Sequence, residues 1–216
     1  MPNIKEVTVP ERGKRDKNLR QRALIEAATA IFAEHGYEGA TTNEIAQRAG
    51  CSEGLIHRYF SGKRGLLLAI MDTKVGEAVE DFTSGVPDSG TVEEEIERII
   101  LWHLKILWER REFMRVAVPE ATISPEIGRM VSERVNKPRV NLILEKLRRH
   151  QEAGRIGDDV ELTALAEAIG GLGLVLGFFA QVVEGMDREY VRRVAIGAAA
   201  VLSRGLKPTS QAKSSD

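Results

Sequence analysis

Apolar residues in this chain recur three and four positions apart far more often than two, so the pattern predicts helices and almost no strand. Leu24, Ala27, Ala28, Ile31 and Phe32 fall at i, i+3, i+4, i+7 and i+8, one face of an amphipathic helix. Gly36 stands where a left-handed residue would end it. Thr41-Thr42-Asn43-Glu44 then fits a capping box, in which the Thr hydroxyl caps an amide and the Glu carboxylate reaches back. The helix it starts runs through Ile45, Ala46 and Ala49 and stops at Gly50. Ser52 is the expected N-cap of a third short helix through Leu55, Ile56, Tyr59 and Phe60. Phe60 is assigned to the core and Tyr59 to a position that turns its hydroxyl outward. Ser61-Gly62 breaks the pattern again, and Lys63 opens a long helix.

Residues 17–60 therefore read as three short helices, the second and third joined by the brief turn Ala49-Gly50-Cys51-Ser52. That is a helix-turn-helix arrangement. A tight turn of this kind lets the second helix brace the third while the third lies in a major groove.

Beyond Lys63 the helical pattern continues. Expected helices cover 63–83, ended by Ser84-Gly85-Val86-Pro87, then 92–110 with Ile96, Ile99, Ile100, His103, Leu104 and Leu107 on one face, then about 112–121. Ser124-Pro125-Glu126 is a helix start with Pro at the first position. Pro138 is expected to break or kink that stretch, which resumes to Gln151 and closes at Ala153-Gly154. Asp158-Asp159 is the expected cap of a helix reaching Val183, and Asp187 the cap of a last one reaching Arg204. Ala168–Val183 is strongly apolar, but its 16 residues fall short of the ~20 a membrane span needs, so it reads as a helix buried on most faces. Gly173-x-x-x-Gly177 within it permits a close helix approach, as in a buried or dimer-forming helix. The surrounding glycines superficially resemble a nucleotide loop, but no strand precedes them.

Composition narrows the choices. The 216 residues are 43% hydrophobic, enough for a core, and carry a net charge of −1. That excludes a uniformly basic coat protein but not a basic patch. Residues 1–65 hold 11 Lys and Arg against 8 Asp and Glu, and Arg12, Lys14, Arg15, Lys17, Arg20 and Arg22 crowd together with one acid, Asp16. The single cysteine, Cys51, forbids an internal disulfide, and the four histidines form no metal-spaced pair. No nucleophile elbow, phosphate loop or metal cluster is legible, so no catalysis, cofactor or metal is expected. The polar N-terminus has no apolar signal segment, which makes the cytoplasm the expected compartment.

Thr41 to Leu67 reads T-T-N-E-I-A-Q-R-A-G-C-S-E-G-L-I-H-R-Y-F-S-G-K-R-G-L-L. With its paired Thr, I-A-x-x-A-G core, Ser-x-Gly, aromatic pair and following Lys, the segment resembles the DNA-binding domain of the tetracycline-repressor (TetR) family. The resemblance covers about 20–70 closely. Beyond that, only length and helical organisation match. It implies an all-α protein with an N-terminal helix-turn-helix domain and a C-terminal helical domain for effector binding and dimerisation. The expected division is a flexible basic arm 1–16, the DNA-binding domain 17–65, the effector and dimer domain 66–205, and a disordered tail 206–216.

The implied function is a homodimeric regulator, a repressor released from a double-stranded DNA operator by a small hydrophobic effector, with no membrane partner. The resemblance assigns Thr42 to a phosphate, Ser52, Glu53, Gly54 and Leu55 to the start of the recognition helix, His57, Arg58 and Tyr59 to phosphates or base edges, and Lys63 to the backbone. Glu53 stands where Lys is frequent in the family and His57 where Tyr is usual. Arg58 is the expected base reader, bidentate to guanine. For the effector, Trp102, His103, Leu107, Phe113, Met114 and Phe178 are the expected lining, although a satisfied core histidine is the commoner reading of His103. For the dimer, the candidates are Leu172, Leu176, Phe179, Val183, Val194, Ala198 and Val201 on the last two long helices. The rival from another class is a small-molecule or lipid-binding helical module without operator binding.

Overall fold

The computed structural model describes residues 11–85 and 88–208, and among them every regular element is a helix. These residues divide into two compact units, one up to Thr73 and one from Lys74.

In the first unit, α1 (Glu11–Gly39) begins earlier than the expected arm boundary. Of the arm 1–16, residues 1–10 lie outside the described residues, and the remainder forms the first turns of α1, as its Arg, Lys, Glu and Asp content permits. The regular helix breaks at Gly36, whose φ of 73° suits a residue without Cβ. α2 (Thr42–Arg48) starts from the expected capping box: the Glu44 amide donates to the Thr41 hydroxyl at 3.2 Å, and the Thr41 amide donates to the Glu44 carboxylate at 3.0 Å. The Thr41 hydroxyl also donates to the same carboxylate at 2.8 Å, and this bond, with that of the Thr41 amide, holds the Glu44 carboxyl below its ordinary pKa. α3 (Gly54–Phe60) ends at Ser61, which takes the left-handed φ of 61°. α4 (Lys63–Gly85) follows and crosses the division between the units. Leu24, Ala28 and Phe32 of α1 pack with Ile45 of α2, Ile56 of α3 and Leu66 of α4 in a core excluded from water.

The second unit is built around α5 (Val92–Glu109), which Thr91 caps by accepting from the Glu94 amide. α6 (Arg111–Ile123) and α7 (Pro125–Val131) pack as a pair, α7 starting from the expected Ser124 cap. A π-helical turn, Ser132–Asn136, carries the chain without interruption into α8 (Lys137–Glu152). Pro138 therefore does not break the path. The regular α-helical bonding nonetheless gives way to the π-turn just ahead of Pro138, where the missing N–H is accommodated. α9 (Leu162–Leu174) is capped by Glu161, which accepts from the Thr163 and Ala164 amides, and not by Asp158-Asp159. Asp158 and Asp159 lie in the preceding turn, where Gly157 donates to Leu206 O at 2.9 Å. α9 continues as a π-helical segment, Val175–Val183, and α10 (Arg188–Gly205) starts from the expected Asp187 cap. Leu206 is buried, so the tail begins later than expected. Residues 209–216 lie outside the described residues.

The run Leu162–Val183 is 22 residues long and apolar enough to cross a membrane by length and composition, but half of its most apolar stretch is buried in this unit. It packs on α5 and α8, and the reason is steric. A Cβ on Gly173 would sit 2.6 Å from His103 Cγ, and one on Gly177 would sit 2.9 Å from the His103 carbonyl oxygen. The glycine pair thus serves the contact with α5, inside one subunit. Glu95 of α5 is buried too, accepting from the Ser89 amide at 3.1 Å and pairing with Lys146 of α8 at 3.1 Å.

Helix propensity and packing make opposite demands on these glycines. Gly171→Ala, with nothing within 4 Å of the added carbon, is expected to stabilise by up to about 1 kcal/mol. Gly177→Ala meets backbone and is expected to destabilise by about 1–3 kcal/mol. Urea unfolding of both variants checks the difference in sign.

Candidate functional site

In the first unit the turn between α2 and α3 is closed by backbone bonds, Gly50 N to Gln47 O at 3.1 Å and Cys51 N to Ala46 O at 2.9 Å. α3 lies on the core through Ile56, which is fully buried. The opposite stripe, Gly54, His57 and Arg58, is exposed, as helical spacing requires. Leu55, Tyr59 and Phe60 are half-buried, so Phe60 is less enclosed than its core assignment. Tyr59 stacks edge-on to Phe60 with ring centres 6.3 Å apart, and two cations approach its face, Lys17 at 5.7 Å and Arg58 at 6.0 Å. α2 is tied to α1 by a fork in which Arg48 Nη1 and Nη2 donate to the two Glu34 oxygens at 2.7 and 3.0 Å. That bond holds the Glu34 carboxyl below its ordinary pKa.

Three of the expected contact residues are already engaged. The Thr42 hydroxyl donates to Glu53 Oε1, joining the first residue of α2 to the N-terminal boundary of α3. Glu53, with helical angles and no side-chain capping bond, occupies the boundary expected for Ser52. Lys63 departs further from expectation. Its ammonium donates to the carbonyls of Tyr37 at 2.8 Å, Glu38 at 3.3 Å and Ala40 at 3.1 Å. It also lies 4.6 Å from the Tyr37 ring centre. An ammonium has three donors, so in this geometry Lys63 clamps the end of α1, whose carbonyls take up the donors that a phosphate would use.

The second unit holds a cavity of about 390 Å³. α5 contributes Trp102, His103, Ile106 and Leu107, its C-cap contributes Arg110, and α6 contributes Phe113, Met114 and Val118. The run α7 to α8 contributes Val131, Val135, Asn136 and Arg139, and Lys74 closes another part of the wall. Five of the six expected lining residues are therefore brought together. Phe178 is buried but is not in this wall, because its face of the π-helical segment turns into the core. His103 is nearly inaccessible, and its Nδ1 donates to the Ile99 carbonyl at 2.7 Å. Burial, with the nearby Arg139 charge second, pushes its pKa down to about 4, so the ring is neutral at pH 7 and Nε2 is an acceptor.

Sequence reading missed Arg110 and Arg139. Each continues a helical stripe of wall residues, 103-107-110 and 131-135-139, and a charge that extends such a stripe was the available signal.

The dimer candidates separate. Phe179, Val183, Val194 and Val201 are exposed, Val183 at 61% and Val201 at 68%, and Ala198 is half-buried. Leu176 is 8% exposed and sits in this subunit's own core, against which Leu172 also packs. Both face inward because Gly173 and Gly177 turn that side of the helix towards α5.

With this geometry in view, comparison with known proteins is informative. The profile of bacterial regulatory proteins of the tetR family matches residues 24–70. The HTH-type transcriptional repressor AcnR of Corynebacterium diphtheriae is 30% identical over 180 residues, 82% of this chain and 88% of that protein. Among solved structures, the fatty acid degradation regulator FadR of Bacillus halodurans superposes with a TM-score of 0.70 at 23% identity, covering 90% of this chain and 96% of that one. FadR of Bacillus subtilis in complex with stearoyl-CoA gives 0.69 at 20% identity, covering 86% and 98%. The exposed stripe on a short third helix, the cavity-bearing helical unit and these likenesses lead to one conclusion: the chain belongs to the TetR family of bacterial DNA-binding transcriptional regulators.

Proposed function

We propose that this chain is a ligand-responsive repressor that binds its operator as a homodimer and is released when a small effector with an apolar body enters the cavity of the second unit. The observation that carries the reading is the stripe Gly54, His57 and Arg58, held outward by the buried Ile56 beside further exposed cations on α1. A helix so placed enters a major groove, and two such helices related by a twofold axis stand about 34 Å apart or a multiple of it. In this role Arg58 reads base edges, and Ser52, Glu53, Leu55, His57 and Tyr59 meet the duplex around it. The Thr42 hydroxyl exchanges its bond to Glu53 for a phosphate when DNA arrives.

The exposed apolar positions Val175, Phe179, Val183, Val194 and Val201 are the face offered to the second copy. Burial of that face also accounts for the apolar character of Leu162–Val183 in a cytoplasmic protein with no membrane partner. The cavity supports the effector role, and one fold neighbour, the FadR of Bacillus subtilis, was solved with stearoyl-CoA. An effector acts by binding one conformational state better than another, and a coupling of about 1–3 kcal/mol changes operator affinity roughly 5–150-fold. No catalytic step belongs to this reading.

A gel shift with the DNA upstream of the protein's own gene tests it. A folded dimer that ignores every duplex at low salt but still binds ligands would favour a binding module without an operator. Arg58→Ala is expected to relax preference at particular base pairs by about 1–3 kcal/mol and to leave the unfolding midpoint unchanged. Lys63→Met is expected to lower stability by about 1–3 kcal/mol, because it strips a donor from three carbonyls, and to leave the salt dependence of DNA binding unchanged. A flatter salt slope with normal stability would instead restore Lys63 to a phosphate. The double variant Val183→Glu/Val201→Glu is expected to sediment as a monomer and to lose operator affinity on the order of 100-fold. Retention of the dimer would place the interface elsewhere.

A further inference from the structure

Among the described residues, the charged side chains that line the cavity are Lys74, Arg110 and Arg139, with no Asp or Glu. Enclosed walls of low polarizability strengthen such a field. Arg139 is the most exacting of the three. Its Nε is buried and has no hydrogen-bond partner. Its guanidinium lies flat on α9 at Gly170, where an added Cβ would be 3.2 Å from Nη2 and 3.4 Å from Cζ. The carboxylate that bears on it electrostatically is Glu167, which is exposed and acts from a distance. A guanidinium cannot shed its proton to escape such a site, so its burial is unfavourable until an anion arrives.

We infer that the effector is an amphipathic anion, its carboxylate or phosphate head held side-on by the Arg139 guanidinium and its apolar body among Trp102, Ile106, Leu107, Phe113 and Met114. This rests on the effector-cavity reading above. Carboxylates and phosphates share the planar, two-oxygen edge that a guanidinium grips with two parallel bonds. Asn136, three residues before Arg139 on the same helical face, supplies an amide beside the head. His103 adds no competing charge. Its Nδ1 proton is spent on Ile99, and Nε2 accepts, which suits a hydroxyl or amide further along the ligand. The same cationic residues disfavour a quaternary ammonium of equal size.

Calorimetric titration of the full-length protein with four ten-carbon probes tests this: decanoate, decyl phosphate, 1-decanol and decyltrimethylammonium. Wild type is expected to bind one of the two anions at least ~10-fold more tightly than decanol, with the ammonium weakest. Which anion binds more tightly identifies the head as carboxylate or phosphate. Arg139→Met is expected to weaken the anions by ~10–100-fold and to change decanol by less than ~2-fold, with Arg139→Lys in between. The inference is overturned if decanol matches the anions, if the ammonium binds best, or if Arg139→Met weakens all probes alike. The wild-type ranking decides the matter even if a variant fails to fold. Failure of all four probes to bind the folded wild type would remove the effector-cavity reading itself.

Discussion

α5 lies against α9 and its π-helical extension because residues 173 and 177 carry no side chain. His103 fills the space so created, and the His103 carbonyl approaches Gly177 more closely than any Cβ would tolerate. The contact fixes the rotation of α5 about its axis. One edge of the helix, from Ile96 to Ile100, goes to the core, and another, from Trp102 to Arg110, goes to the cavity. Two glycines in a helix forgo about 1 kcal/mol each relative to alanine, and the packing they allow offsets that loss. The site in the second unit depends on this arrangement.

A comparable economy governs the first unit. Its second and third helices, seven residues each, are too short to persist alone, and the ends of α2 are held by polar bonds as much as by the core. The capping box starts α2, the Glu34–Arg48 fork binds α2 to α1, and the Lys63 ammonium gathers the last carbonyls of α1. What remains outward on α3 is a small, rigidly held stripe with exposed cations around it. Precise placement there matters because a groove contact weakens when the side chain wanders by about 1 Å.

Charge burial shapes the cavity of the second unit. A partly buried guanidinium whose Nε has no hydrogen-bond partner carries a desolvation cost that the exposed Glu167 charge offsets only from a distance. The neutral state of His103 belongs to the same balance: the imidazole, desolvated beside Arg139, gives up its proton before the guanidinium does.

The sequence by itself determined the helices and several of their ends. Helical spacing, the Thr41–Glu44 box, Ser124-Pro125 and Asp187 act through bonds within one turn, so they are legible without a fold. The helix-turn-helix segment and the aromatic wall of α5 and α6 were legible for the same reason, since both are stripes on single helices. Only the tertiary structure decided the surroundings of Lys63, Glu53, Arg139, Leu176 and the glycine pair. Each depends on a partner brought from elsewhere in the chain: the carbonyls of 37–40 for Lys63, Gly170 for Arg139, His103 for Gly173. A charge or a glycine means one thing facing water and another facing a neighbouring helix, and that choice is made by packing between elements, which spacing along one helix does not encode.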